Sequence, residues 1–316
     1  QDVTFPKKLV NSFQGPKMGI RGVRKLLNVH DRPLLGTIIK PKLGLSPKQH
    51  AQVAYNAWVG GVDCVKDDEN LTSMSFNNFS ERIDLTLKMR DKAELETGER
   101  KAYMPNITAE TSEMIKRLRY VHERGGNYIM VDILTTGWSG LQTVRNHTVL
   151  PIHAHRAMHA ALTRNPDHGI SMAFLAKVAR LIGVDTLHIG TVDVGKMGGT
   201  VQEVQAVQKV IQRNVVEQDT ENHILKQKWY GMKPVIATAS GGLQPCGLPL
   251  LINRMGNNVL YNFGGGIHAH PDGTTAGAKA ARQALGATIK KVPLKEYAER
   301  HPELAAAIKK WGIPTN

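Results

Sequence analysis

Short apolar segments alternate with helical stretches along almost the whole chain. Eight candidate strands stand out: 35–39 (LGTII), 62–65 (VDCV), 102–106 (AYMPN), 128–132 (YIMVD), 151–155 (PIHAH), 185–189 (DTLHI), 234–239 (PVIATA) and 258–263 (NVLYNF). Between them Phe79, Ile83 and Leu87 recur at four-residue steps. Met114, Leu118 and Val121, and then Val201, Val204, Val207 and Ile211, each keep one apolar face, the mark of amphipathic helices. The run 169–182 is more apolar and predicts a well-buried helix. Eight strands, each followed by a helix, are the count of a closed α/β barrel, the (β/α)8 or TIM-barrel fold. An open doubly wound sheet would give fewer repeats and a glycine fingerprint after its first strand, where this chain has Lys-Pro-Lys. The predicted division is a linker or covering segment over 1–30 with a turn at FQGP (13–16), the barrel over 31–290, and a C-terminal helical extension over 291–316.

Composition narrows the class. The chain has 316 residues, 41% of them hydrophobic and 22% charged, which suits one soluble barrel domain. No apolar run reaches the roughly 18 residues of a membrane span, and the opening QDVTFPKKLV has no apolar signal core. A chain that does not start with Met is expected to be a fragment. Cys64 and Cys246 cannot build a disulfide framework, which fits a reducing cytoplasm. The net charge of +14 points to an anionic partner. The basic residues are scattered, aromatic content is only 5%, and no nucleic-acid motif is present, so a phosphorylated small molecule fits better than nucleic acid.

In such a barrel chemistry sits where strands meet the following loops. Lys40 and Lys42 follow strand one; Lys66, Asp68 and Glu69 follow strand two. Strands three and four end in Asn106 and Asp132. Strand five carries His153, His155 and Arg156, and strand six carries His188 ahead of a glycine-bearing loop with Lys196. Strands seven and eight run into Ser240-Gly241-Gly242 and Gly264-Gly265-Gly266. Each feature alone has an ordinary reading: a solvated lysine, a core histidine, a turn. Eight such ends on one rim do not.

The glycine-rich turns after the last two strands suit a phosphate cradle of backbone N–H groups. Arg156 and His188 suggest a second anion site opposite, since a guanidinium forks onto phosphate oxygens. Two such sites imply a bisphosphate. In GVDCVKDDEN, Asp68 and Glu69 are hard oxygen donors suited to Mg2+, but two carboxylates make a weak site. Lys66 cannot supply a third anionic oxygen as an ammonium; the carbamate formed when its neutral amine takes up CO2 could.

GTIIKPKLGLS, GVDCVKDDEN, HAHRAMHA, HIGTVDVGKM, ASGG and NFGGG, in this order and spacing, closely resemble the ribulose-1,5-bisphosphate carboxylase/oxygenase (RuBisCO) large subunit. FQGP and PELAAAIKKW match at the flanks, and ENLTS and TRNPDHGISM look most like the archaeal form III branch. The resemblance covers essentially the whole chain. It implies carboxylation of ribulose 1,5-bisphosphate to 3-phosphoglycerate, with O2 as the competing substrate of an oxygenase side reaction. It also implies a homodimer or higher homo-oligomer, and Mg2+ held by carbamylated Lys66, Asp68 and Glu69. By the same resemblance, Lys66 as carbamate takes the C3 proton, Lys40 protonates the C2 carbanion with Lys42 tuning its charge, and His155 assists hydration. Lys196 stabilises the developing carboxylate. Arg156 and His188 hold one phosphate; Ser240, Gly241, Gly242, Gly264 and Gly265 hold the substrate chain and the other phosphate.

The chain departs from the family at Cys64, where many members carry an aromatic residue, and at Ile38, where plant enzymes have a hydroxyl that touches substrate. Its TVDVGKM loop reads as one residue longer. The family's N-terminal domain, which places a glutamate and an asparagine over the partner subunit's site, has no counterpart here. Two rival expectations therefore stand beside the carboxylase: a carboxylase-like enolase or isomerase acting on a sugar-phosphate analogue, and a non-catalytic assembly fragment.

Overall fold

The computed structural model describes residues 1–165, 167–197 and 199–314; the last two positions of the expected tail lie outside them. Eight parallel strands form one sheet: β1 (Leu34–Ile38), β2 (Cys64–Lys66), β3 (Ala102–Met104), β4 (Ile129–Asp132), β5 (Ile152–His155), β6 (Thr186–His188), β7 (Ile236–Ser240) and β8 (Val259–Phe263). Their order is β3-β2-β1-β8-β7-β6-β5-β4. The ends of that row meet through Asn106 and Met130, where the Ile107 N–H donates to Met130 O at 3.1 Å and the Met130 N–H to Pro105 O at 2.8 Å. The eight expected strands are all present. The third stops early because Pro105 has no N–H to offer the ladder, and the second begins later than expected, so Lys66 is the last residue of the strand rather than part of the loop.

The period-two alternation of a strand sorts its side chains onto two sides of the barrel wall. Outward-facing Leu35, Val65, Tyr103, Ile129, Val131, Ile152, Leu187, Ala237, Val259 and Tyr261 pack under the surrounding helices in one large core. Inward-facing Leu34, Cys64, Ala102, Met104, Tyr128, Met130, Ile236 and Leu260 form a second core, which Ile20, Val23, Leu27 and Val29 complete from below. The helix Gly19–Leu27 is therefore a plug in the bottom of the barrel. Asp185, just before β6, ties it in place, accepting hydrogen bonds from Met18 N at 2.7 Å and Gly19 N at 2.8 Å. Its other oxygen accepts from Ile152 N at 3.0 Å. Asp63, just before β2, repeats the device: it accepts from Leu35 N at 2.8 Å and pairs with both ends of the Arg32 guanidinium at 2.7 Å.

Helices Phe79–Thr97, Thr111–Glu123, Met172–Ile182 and Val201–Gln212 lie where the apolar spacing places them. Capping boxes at Ser46/Gln49 and Thr200/Glu203 satisfy first-turn N–H groups of two helices. An antiparallel pair, Val215–Val216 with Gln227–Lys228, was not expected. Phe5 is fastened to it through both backbone polar groups by the Gln227 side-chain amide. Among the described residues no helix is long and apolar enough to cross a membrane. Both cysteines are free and buried.

Candidate active site at the barrel mouth

Above the apolar floor the inward positions turn polar. Lys66 ends β2 with its side chain 1% exposed; its Nζ donates to Asp67 O at 2.6 Å and reaches Glu69 Oε2 at 3.5 Å. Asp68 binds Lys40 Nζ at 2.6 Å through one oxygen and accepts from Asn70 N and Nδ2 through the other, at 3.1 and 2.9 Å. Burial alone would push the Asp68 carboxyl up, but the Lys40 and Asn70 hydrogen bonds outweigh it and hold it below the ordinary carboxylate range. Burial likewise opposes ionisation of Glu69, and the charges of Lys66 and His155 overcome it. His155 closes the group, with Nε2 3.5 Å from Glu69 Oε2 and Nδ1 3.1 Å from Asp132 Oδ1. Five predicted residues, Lys40, Lys66, Asp68, Glu69 and His155, thus share one side of the mouth. Lys42 is exposed, and among the described residues no hydrogen bond or ion pair ties it to them.

His188 stands beside His155, their ring centroids 4.6 Å apart. Arg156 is 7% exposed, and among the described residues its guanidinium has no hydrogen bond or ion pair. Burial without a counter-charge pushes it down to about 10. A buried cation in this state is a ready anion site.

The loop after β6 reaches over to the turn after β7. Lys196 N donates to Gly241 O at 2.9 Å. A Cβ on Gly242 would lie 2.6 Å from Lys196 Cγ, and one on Gly241 2.0 Å from Met197 Cγ. These glycines, expected as a phosphate cradle, also seat the loop that carries Lys196. Val192 and Asp193 hold the loop's bend at φ of 46° and 61°, an unusual state for a β-branched residue, and Arg254 Nη1 donates to Val192 O at 2.6 Å. Gly264 lies next to Lys40, whose Cε is 3.7 Å from the place of a Cβ, and nothing crowds Gly265.

Several residues behind the site were not among the expected site residues. Asp67, on the outer side of the wall, binds His50 Nε2 at 3.0 Å, Tyr103 OH at 2.6 Å, Arg82 Nε at 3.1 Å and Asn106 N at 3.0 Å. Asn106 Nδ2 in turn donates to Glu69 O at 3.1 Å. Strand alternation could have flagged Asp67 as facing away from the mouth; its partners come from distant segments and leave no local signal.

Among the described residues no group of three His, Cys, Asp or Glu side chains gathers as a metal site. Asp68 and Glu69 alone are two hard ligands. The third position falls to Lys66, a buried amine within reach of Glu69, so the donor set fits Mg2+ when that lysine carries an anionic oxygen.

A barrel with its acids, bases and a buried guanidinium gathered at the C-terminal ends of the strands is built as an enzyme of the TIM-barrel class. The family model for the ribulose bisphosphate carboxylase large chain, catalytic domain, matches residues 19–311. The chain is 54% identical over 315 residues to the ribulose bisphosphate carboxylase of Methanosarcina acetivorans, covering 98% of this chain and 73% of that protein. It is 53% identical over 311 residues to that of Methanocaldococcus jannaschii, with the same coverage. Among solved structures, an archaeal Rubisco superposes with a TM-score of 0.95 at 45% identity, covering 100% of this chain and 74% of the other. The dimeric archaeal Rubisco from Hyperthermus butylicus gives 0.94 at 45% identity, covering 99% and 73%. An octameric Rubisco from Pyrococcus horikoshii gives 0.92 at 45%, covering 100% and 72%. The chain belongs to the RuBisCO large-chain family.

Proposed function

We propose that the chain catalyses Mg2+-dependent carboxylation of ribulose 1,5-bisphosphate by CO2, giving 3-phosphoglycerate, with an oxygenase side reaction, and that it works in the cytoplasm as a homodimer or higher homo-oligomer. The observation that carries this reading is the gathering of Lys40, Lys66, Asp68, Glu69 and His155 within hydrogen-bonding or ion-pair reach. The family membership supports the same chemistry. Residues 31–290 are read as the catalytic barrel, 1–30 as its covering segment and 291–316 as its tail.

Lys66, as its carbamate, would hold the metal together with Asp68 and Glu69, and bound Mg2+ would polarise the substrate's ketone. Lys66 is then placed to take the C3 proton through that carbamate. Lys40 delivers a proton to C2 after bond cleavage, with Lys42 beside it tuning its charge. His155, whose Nδ1 accepts from Ala157 N at 3.2 Å and lies 3.1 Å from Asp132 Oδ1, assists hydration of the ketone. Lys196 brings a positive charge to the new carboxylate and excludes water. Arg156 and His188 take one phosphate; Ser240, Gly241, Gly242, Gly264 and Gly265 take the substrate chain and the other phosphate.

The test supplies ribulose bisphosphate, Mg2+ and labelled bicarbonate to the wild-type chain and to Lys66→Ala. Labelled 3-phosphoglycerate from the wild type alone is the expected result. Full activity in Lys66→Ala overturns the carbamate role. Enolisation without fixation replaces the carboxylase by an enolase or isomerase, and no reaction at all leaves an assembly role for the chain.

A further inference from the structure

Beneath the mouth runs a hydrogen-bonded row of which the proposed chemistry uses only the last member, His188. Tyr128 OH is 3.3 Å from Thr186 Oγ1, Thr186 Oγ1 is 2.8 Å from His153 Nδ1, and His153 Nε2 is 2.9 Å from His188 Nε2. The two rings meet edge to face, with centroids 4.8 Å apart. Tyr128, Thr186 and His153 are fully buried and His188 is 6% exposed, so each hydrogen in the row needs an acceptor within it.

Counting hydrogens fixes the direction. Tyr128 OH has only Thr186 Oγ1 to donate to among the described residues; reversing that bond would leave a buried phenol hydrogen without an acceptor, at a substantial cost. Thr186 therefore accepts from Tyr128, and its own hydrogen goes to His153 Nδ1. His153, unprotonated at Nδ1, carries its hydrogen on Nε2 and donates it to His188 Nε2. His188 is left with its hydrogen on Nδ1, where it makes no hydrogen bond among the described residues. A second proton on His188 would set two N–H groups against each other across 2.9 Å. Burial, with the neighbouring cations adding to it, pushes both imidazoles well below their usual value.

We infer that Tyr128, Thr186 and His153 are positioning residues that fix His188 as the neutral Nδ1–H tautomer, a one-way donor to a substrate oxyanion. The row rests on the reading of His188 as an anion ligand for what it serves, but not for its polarity. Arg156 then supplies the charge at that subsite, and His188 supplies direction.

The test is the nitrogen spectrum of the full chain labelled with 15N-histidine, at neutral pH, with His153→Gln and His188→Gln used for assignment. The expected wild-type spectrum shows His188 protonated at Nδ1 and His153 protonated at Nε2. A His188 that reads as Nε2–H or as imidazolium overturns the proposal without any variant. In Thr186→Val the His188 signal should move toward the other tautomer, and Thr186→Ser should restore it; Tyr128→Phe gives a second route should the valine variant fold poorly. An unchanged His188 signal in a folded Thr186→Val also overturns the relay. Titration with inorganic phosphate separates the two readings. A shift of the His188 Nδ1–H supports both; an Nδ1–H tautomer that phosphate leaves unmoved keeps the row's polarity and overturns the anion site. In the active enzyme Thr186→Val should raise the KM for ribulose bisphosphate about tenfold, the scale of one hydrogen bond to a charged group, with a smaller change in kcat.

Discussion

The Tyr103 hydroxyl lies 2.6 Å from Asp67 Oδ1, across the barrel wall from Lys66. Asp67 faces outward between two residues that face the mouth. Its bonds to His50, Arg82 and the Asn106 N–H tie the end of β2 to two helices and to the start of the next loop.

Asp67→Asn should therefore cost stability well beyond a surface change. It leaves Arg82, 0% exposed, as a buried cation without its partner, a loss of roughly 3–5 kcal/mol. Urea unfolding measures it. Asp84→Asn, on an exposed ion pair with Arg124, should stay within about 1 kcal/mol of wild type.

Arg156→Met should divide binding from stability. Losing the guanidinium should weaken binding of inorganic phosphate or of the bisphosphate at least about tenfold, the scale of a charge-assisted pair. Thermal stability should hold or rise, because a buried cation with no ion pair among the described residues has been replaced by an apolar chain of similar reach. Calorimetric titration alongside thermal unfolding reads both; a fall in stability with unchanged affinity would make Arg156 structural.

Gly242→Ala should disable the loop rather than the fold. The added Cβ would meet Lys196 Cγ at 2.6 Å and Lys196 N at 3.0 Å, at a φ of 72°. Lys196 must lift off its seat, so kcat/KM for carboxylation should fall by about an order of magnitude or more, as small misplacements of catalytic groups do. Unfolding should change modestly.

His268 should make stability depend on acid. Its Nε2 lies 2.8 Å from Ile38 O and 2.9 Å from Thr37 Oγ1, and burial pushes its pKa from 6.5 down to about 4. The folded chain thus binds fewer protons than the unfolded chain between those values, so this contribution is full above pH 6.5 and is lost as pH falls toward 4. The loss amounts to roughly 2–3 kcal/mol. Urea midpoints across this range should fall less steeply for His268→Gln than for wild type.

The strands were legible because each is a short apolar run followed by charged, polar or glycine residues, and the barrel count follows from eight such runs. Lys66, Asp68 and Glu69 were legible as a cluster because they are neighbours in sequence. Arg156 and His188 were legible only as a suggestion of an anion site, since a lone arginine or strand histidine has an ordinary use; the burial of the guanidinium and the contact of His188 with His155 needed the fold. The tie from Asp132 to His155 and the row from Tyr128 to His188 were not legible at all, because contacts between neighbouring strands depend on register. The Val215–Val216 hairpin escaped for another reason: two-residue strands leave no periodicity to read. Gly241 and Gly242 were noticed as a turn that a phosphate could approach, whereas the seat they give the Lys196 loop escaped, because sequence does not tell which segment packs on a glycine.

The Gly19–Leu27 plug has a consequence for how this molecule can change. It closes the barrel floor with its own apolar face and takes its anchorage from Asp185, far from Lys66 along the strands. Mutations that strengthen the plug and its moorings can accumulate without moving an atom of the mouth. A lineage, or a designer, could thus raise heat tolerance in the lower half while leaving the chemistry of the mouth to be tuned in the upper half.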